Sequence, residues 1–554
     1  MNQNHNYKSS DSDNADRNDY DYIVVGAGSA GCALAARLSA RPATRVLLLE
    51  AGGKDSNPLF RLPMLMGKLF QSGIYNWHFH SEPEPNLNGR KIYWPRGKVL
   101  GGTSTINGMI YVRGGKQDYD GWAAMGNLGW SYKDVLPAFK RSEGHIQREG
   151  VFHNTKGELT VCRARGWNAL LDVFCLAGQQ AGYPLNDDFN GASQLGFGRY
   201  DFTIKQGKRW STSFAFLRPA LKRSNLKVVT RALTHKVLVE KNRAVGVAYE
   251  VLGQLKTVRA HKEVILCAGV VGSPHLLMLS GIGPQEELAK HDIAVLKDLP
   301  GVGGNLQDHV DCVMSYECKQ PVTLYKDLRA DKIAFSVVRG MLFGEGITTT
   351  FPYEAGAFIK TRPELAHPDV QLHFMPALEK TANLYFPNPF KKSTVEAKHG
   401  FTLRVGPVNP SSKGRISLRS GRPDDAPLIR PNYLHTDFDR QTMVDAIRAT
   451  RQVIAQPAFD AYRGKELAPG LEKQSDEDLV AWLRATAMTT FHPVGTCKMG
   501  LDDMAVVDHR LKVHGIANLR VADASIMPVI SSGNTNAPAI MIGEKCAEFI
   551  LAGQ

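Results

Sequence analysis

Three glycines and a glutamate carry the clearest chemistry in this sequence. Gly26, Gly28 and Gly31 stand in Gly26-Ala27-Gly28-Ser29-Ala30-Gly31, directly after the apolar run Tyr22-Ile23-Val24-Val25, and Glu50 follows 19 residues after Gly31. Gly26 permits a tight turn, Gly28 lets the backbone approach a pyrophosphate, and Gly31 lets helix and strand pack closely. The N–H groups at the start of the helix that follows, around Ser29 and Ala30, face the phosphates. Glu50, followed by Ala51, ends a second apolar strand and can accept from ribose hydroxyls. Strand, glycine turn, helix, strand and acid in this order predict a bound dinucleotide. Which dinucleotide, and for what reaction, the pattern leaves open.

A second glycine-rich stretch runs from Pro95 to Gly114 and includes Arg96, Val99, Gly101, Gly102, Thr103, Asn107, Gly108, Met109 and Ile110. Its glycines cost conformational entropy on folding. They make sense where backbone N–H groups crowd against something flat or anionic. The long Pro- and Gly-rich segment before it, with Trp77, reads as a functional loop. Elsewhere the candidates are single side chains. His492 lies in the apolar Phe491-His492-Pro493-Val494 and is either a packed core residue or a proton acceptor near neutral pH. Asn534-Thr535-Asn536 reads as a turn or helix cap. Glu354 is a carboxylate in apolar surroundings, fit for binding a cation or for a structural role.

The elements that must position these groups fall into two patterns. Leu226–Thr230, Lys236–Glu240 and Ala244–Glu250 read as three strands, with a turn at Lys241-Asn242-Arg243, and Glu263–Cys267 as a further buried strand. From about Gln320 to Thr490, alternating segments such as Val370–Phe374 and Arg415–Arg419 suggest an antiparallel sheet, with helices at Asp437–Gln452 and Asp476–Thr486. Leu519–Asp523 is a short strand ending in an acid, and Ala537–Leu551 a last helix. The fold expected is α/β (α+β overall). A Rossmann-like domain with an inserted β-meander takes 20–160, 225–318 and 500–554, and a substrate domain with an antiparallel sheet flanked by helices takes 161–224 and 319–499. Residues 1–19 read as a disordered tail.

The chain has 554 residues, 43% hydrophobic and 22% charged, with net charge +13, of which the tail contributes −2. That length predicts more than one domain. The positive balance fits an anionic cofactor or anionic lipid headgroups. The basic residues are scattered and no nucleic-acid motif accompanies them, which argues against a nucleic-acid partner. No apolar run approaches the ~18 residues of a membrane span. Eight cysteines without a C-x-x-C imply reduced thiols and no metal site. The localisation expected is cytoplasmic, with peripheral contact to the inner membrane left open.

The segments Gly26–Gly31, Gly97–Asn107, Gly269–Gly283, Leu299–Gly303, His492–Thr496 and Asn534–Glu544 together resemble the glucose–methanol–choline oxidoreductases over nearly the whole chain, nearest to bacterial choline, L-sorbose and aliphatic alcohol dehydrogenases. The resemblance implies FAD, with Gly97–Ile110 wrapping the flavin and Val237 reading the adenine through its backbone. Asp523 and Ala524 would lie near the pyrophosphate, and Ala268, Gly269, Ser273, Asn536 and Ala537 would complete the cofactor site. Where choline oxidases carry a histidine bonded to the flavin, this chain has Ile106, so the FAD expected is non-covalent. Val270 and Gly304 replace a commoner Ala and Glu, with no function attached.

The resemblance also implies the chemistry. His492 accepts the hydroxyl proton of a primary or secondary alcohol, hydride passes to the flavin, and the Asn536 amide donates to the developing alkoxide. Phe491 and Glu354 are the candidate substrate contacts. Electrons then pass to a quinone, an artificial dye or another carrier. The alternative is an oxidase that reduces O2 to H2O2, with Thr490 and Phe491 among the side chains controlling O2 access. Less favoured are a lyase or photodecarboxylase on the same scaffold and a non-enzymatic flavin-binding protein. Substrate identity and oligomeric state are not legible.

Overall fold

The computed structural model describes residues 19–70, 72–164, 168–327, 330–378 and 399–553. Of the expected tail, 1–18 lie outside the described residues. Asp19 and Tyr20, by contrast, open the first strand, in register with Arg259 and Ala260.

That strand, β1 (Asp19–Val25), leads through the glycine turn into α1 (Ser29–Leu38) and on to β2 (Val46–Glu50), which is parallel to β1. β2 is buried at every residue, as its unbroken Val-Leu-Leu-Leu run requires of a strand covered on both faces. β3 (Leu226–Thr230) adds in parallel outside β2. It is therefore not part of the meander, contrary to the expectation from sequence. The meander is β4 (Ala232–Glu240), β5 (Arg243–Val251) and β6 (Gln254–Leu266), all antiparallel. Lys241 and Asn242 both take positive φ (49° and 58°), the conformation of a two-residue turn whose twist suits a hairpin. β6 is long enough to finish the meander and then run parallel to β1, so the strand expected at Glu263 is its continuation. The helix α2 (Gly269–Leu279) follows it, β7 (Leu519–Val521) pairs beside it, and α3 (Asn536–Leu551) packs on α1. The sheet order is β3-β2-β1-β6-β5-β4, with β7 attached to β6.

A second, antiparallel sheet runs in the order Arg463–Ala468, Val310–Cys318, Gly400–Pro407, Val370–Met375, Ala355–Ile359, Gly196–Arg199. Val310–Cys318 thus pairs here, although the sequence division left it with the cofactor part. Arg415–Ser417 forms a separate hairpin with Leu428–Arg430 rather than joining this sheet. Val370–Met375 alternates as expected, yet all six residues are buried. Phe374 stacks on Phe174 (4.7 Å) of helix Ala169–Gln180. His373 takes the opposite face and lines the central cavity with its cross-strand partner Arg404. Here alternation separates a helix-packed face from a site-facing one, where the usual reading is core against solvent.

Candidate active site

A cavity of about 540 Å³ runs from the β1–α1 turn to His492 and draws on both sheets. At one end its walls are the glycine turn. A Cβ at Gly26 (φ +102°) would stand 2.4 Å from the Cys267 carbonyl oxygen, and one at Gly31 1.9 Å from the Gly26 carbonyl oxygen. The first glycine is forced by the turn and the third by helix–strand contact. A Cβ at Gly102 would meet Gly28 Cα at 2.7 Å, so the second glycine-rich loop lies directly on the first. Glu50 closes the turn from below, its carboxylate accepting from Ala27 N (2.9 Å) and Gly52 N (2.7 Å). Burial pushes its pKa up to about 7 against those hydrogen bonds. Asp523 accepts from Gly269 N (2.9 Å) and Ser273 Oγ (2.6 Å), tying α2 to the end of β7.

Most sequence-predicted cofactor contacts line this cavity, among them Ser29, Ala51, Trp77, Asn107 and Ala524. Gly31, Val99, Gly101, Ser273 and Ala537 stand behind the wall. Val237 is also outside it, and its N–H donates to Ser280 Oγ (2.8 Å). Leu233 and Thr234, earlier on the same strand, line the cavity instead. Glu354 is buried and takes a hydrogen bond from the Thr350 hydroxyl, and it is not among the lining residues, whereas Phe491 is.

The far end is built around His492. Phe491 takes φ +68°, and its carbonyl accepts from Arg96 Nη2 (2.8 Å). The next N–H, of His492, donates to Asp308 Oδ1 (2.8 Å). Asp308 also accepts from Thr489 Oγ1 (2.5 Å) and the Tyr433 hydroxyl. Burial raises its pKa to about 6. His492 is half-buried on the cavity wall, and loss of water, then His309, His373 and Arg96, hold its pKa well below the ordinary imidazole value. It is therefore neutral at pH 7.

Its tautomer follows from its partners. His309 Nε2 lies 2.9 Å from the Val408 carbonyl, which can only accept, so His309 carries its proton there and bares a lone pair at Nδ1. Burial keeps His309 neutral, with a pKa near 4. Thr490 Oγ1 spends its proton on the His309 carbonyl (3.0 Å). His492 Nδ1 faces both acceptors at 3.1 Å, so Nδ1 bears the proton. Nε2 is then the basic nitrogen. It lies 3.1 Å from Asn534 Nδ2. The Asn534 amide is held that way round because its Oδ1 accepts from Gln371 Nε2 (3.3 Å).

The structure thus brings Asn534 to His492, where the sequence reading placed Asn536. Asn536 opens α3 and its Oδ1 accepts from Ser29 Oγ (2.7 Å), at the glycine turn. Three residues at the reacting end were missed: Asn534, His309 and Gln371. Asn534 was visible only as one of two asparagines two positions apart. His309 and Gln371 come from elements far away in sequence and carried no local signal.

A dinucleotide cradle on one sheet, opening toward a neutral histidine and an amide donor under a second sheet, suits an oxidoreductase that moves a hydride from an alcohol to a bound dinucleotide. The chain belongs to the GMC oxidoreductase family, whose N-terminal model matches 20–311 and C-terminal model 410–543. It is 46% identical over 533 residues to an oxygen-dependent choline dehydrogenase of Photobacterium profundum, covering 96% of this chain and 92% of that one. A protein of the same description from Brucella suis is 43% identical, covering 96% and 95%. Among solved structures, pyridoxine 4-oxidase from Mesorbium loti superposes with TM-score 0.85 at 29% identity, over 96% and 98% of the two chains. A formate oxidase superposes with TM-score 0.89 at 27% identity, over 97% and 98%. The chain is an FAD-dependent enzyme that oxidises an alcohol. No helix among the described residues is long and apolar enough to cross a membrane, and no cluster of side chains there could hold a metal.

Proposed function

We propose that the enzyme oxidises an uncharged primary or secondary alcohol held between His492 Nε2 and Asn534 Nδ2, and passes the electrons to a carrier such as a quinone. The facing lone pair and amide N–H at 3.1 Å carry this reading. The alcohol O–H donates to Nε2 while its oxygen accepts from Asn534, so both replace the contact they make with each other. His492 takes the proton, and Asn534 stabilises the charge that grows on oxygen. The imidazolium so formed keeps its Nδ1–H bonds to His309 and Thr490.

The residues present fit FAD. The glycines leave backbone bare where two loops meet, Glu50 and Asp523 stand at the cradle, and Asn107, its Oδ1 taken by Arg209 and Met109 N, lines the cavity. FAD supplies the hydride acceptor. Ile106, packed with Phe60, Leu69 and Val99, offers no nucleophile, which supports a non-covalent cofactor. The first sheet with its helices would hold the cofactor and the second the substrate.

At the His492 end the lining includes Phe70, Phe351, Tyr353 and Phe491, with Arg404, ion-paired to Asp311 at 2.8 Å. The lining carboxylates are elsewhere: Glu50 and Asp523 in the cradle, and Asp424 and Asp425 near His235 and His275. This favours a neutral substrate. The choline dehydrogenases among the relatives support a second reading, in which the aromatic walls take a quaternary ammonium group. The oxidases among the solved relatives likewise keep O2 as an alternative acceptor, and peroxide release measured against dye reduction on one preparation decides between the two.

The central test is anaerobic stopped-flow reduction. Replacing a general base costs about 10²–10⁴-fold, so His492→Ala should slow flavin bleaching by alcohol by that factor while still binding FAD. Wild-type rates in the variant sink the reading.

A further inference from the structure

Arg209 is 1% exposed, yet no carboxylate faces it among the described residues. Other deeply buried arginines in this fold are paired: Arg113 with Glu143 at 2.8 Å and Arg520 with Glu263 at 2.6 Å. Among the described residues Arg209 has only neutral partners. Its Nη1 donates to the Ser104 carbonyl (3.2 Å) and to Asn107 Oδ1 (2.8 Å), while Nε and Nη2 have no partner among the described residues. Burial alone lowers its pKa to about 9, which still leaves it charged at pH 7. A buried cation without a counter-charge is strongly unfavourable and persists where negative charge arrives from outside the chain.

Asn107 shows where that charge would come from. Its Oδ1 is engaged by Arg209 and by Met109 N (3.1 Å). The amide Nδ2 has no partner among the described residues, and Asn107 lines the cavity together with Gly108, Met109 and Ile110. The guanidinium is thus one hydrogen bond from a side chain that lines the cofactor site and has its Nδ2 left to donate. Hydride transfer breaks the carbinol C–H bond and delivers its electron pair and hydrogen to the flavin, while the hydroxyl proton goes to His492. A bound flavin would supply the acceptor for that hydride and would so take up one negative charge. A fixed positive charge behind Asn107 favours that state over the oxidised one.

We propose that Arg209, acting through Asn107, is a positioning residue that holds positive charge and an amide donor against the flavin and so raises its reduction potential. The inference rests on the reading that Gly97–Ile110 lies along the flavin. The FAD pyrophosphate is a rival target for the same charge, and a different observable reports each.

The experiment compares wild-type holoenzyme with Arg209→Lys and Arg209→Gln. It measures the flavin midpoint potential by dye equilibration and the FAD dissociation constant by titrating apoprotein. Arg209→Gln keeps a donor for Asn107 but loses the charge, so its potential should fall below wild type, with Arg209→Lys between the two. The rate of reduction by alcohol should follow the same order. An unchanged potential in Arg209→Gln, or a weakened FAD affinity alone, overturns the proposal and assigns the charge to the phosphates or the loop. Should Arg209→Gln not fold, Asn107→Ala removes the donor while keeping the guanidinium. It should also lower the potential, and a wild-type value there overturns the proposal equally. A wild-type preparation that binds no FAD would instead show failure of the cofactor reading, visible as missing flavin absorbance.

Discussion

At the residue scale, the two asparagines of Asn534-Thr535-Asn536 have different tasks although they are two positions apart. Gln371 turns the Asn534 amide so that a donor meets His492 Nε2, and Ser29 engages the oxygen of Asn536 beside the glycine turn. The two should therefore fail differently. Losing a preorganised donor to a developing oxyanion costs about 10²–10³-fold in rate, so Asn534→Ala should slow flavin reduction by that factor with FAD content unchanged. Asn536→Ala should retain the chemistry per bound flavin and lose FAD more readily on dilution. Flavin absorbance before and after gel filtration, read beside stopped-flow rates, separates them. The sequence showed a histidine and a nearby asparagine pair but not which amide reaches the imidazole. Asn534 in an irregular turn and Asn536 at the start of α3 point in directions that only the local φ and ψ define. The pins on each side, His309 and Gln371, lie 183 and 163 residues from the groups they orient.

At the scale of elements, the βαβ cradle was legible from sequence because each of its parts has a local cause. A run of β-branched and aliphatic residues makes a doubly covered strand, the glycines make the turn, and an acid ends β2. The meander was legible in its turn at Lys241-Asn242 and misread in its first strand. β3 and β4 are separated by Arg231 alone, at φ +56°, and only sheet pairing shows that the chain leaves one layout for another there. The same cradle gives a pH-dependent prediction. Glu50 has its pKa raised to about 7 by burial. Ribose hydroxyls donate to its ionised form, so cofactor binding should be strongest above pH 7 and weaken as pH falls through that value. Titrating apoprotein with FAD between pH 6 and 8 checks this, and Glu50→Gln should bind more weakly with a flat profile. An equally steep profile in Glu50→Gln would assign the effect to another group.

At the scale of the whole molecule, one sheet presents a nucleotide cradle and the other presents a polar face to it, with the reacting groups where they meet. That meeting was the least legible feature, because it depends on how two sheets stack and on strands such as Gly196–Arg199 that join the second sheet from far upstream. Substrate choice belongs to this scale. The chain carries net charge +13, and Arg96 and Arg404 both line the reacting end of the cavity. Arg404 is balanced by Asp311, which leaves Arg96 and the overall positive balance to repel a cation while a neutral alcohol is unaffected. Straight-chain alkanols should therefore reduce the bound flavin anaerobically faster, at equal concentration, than choline does. Raising ionic strength should narrow the gap, since salt screens the repulsion of choline and does nothing for a neutral alcohol. If choline instead bleaches the flavin faster than every neutral alcohol tried, the quaternary ammonium reading holds and the aromatic walls outweigh the arginines.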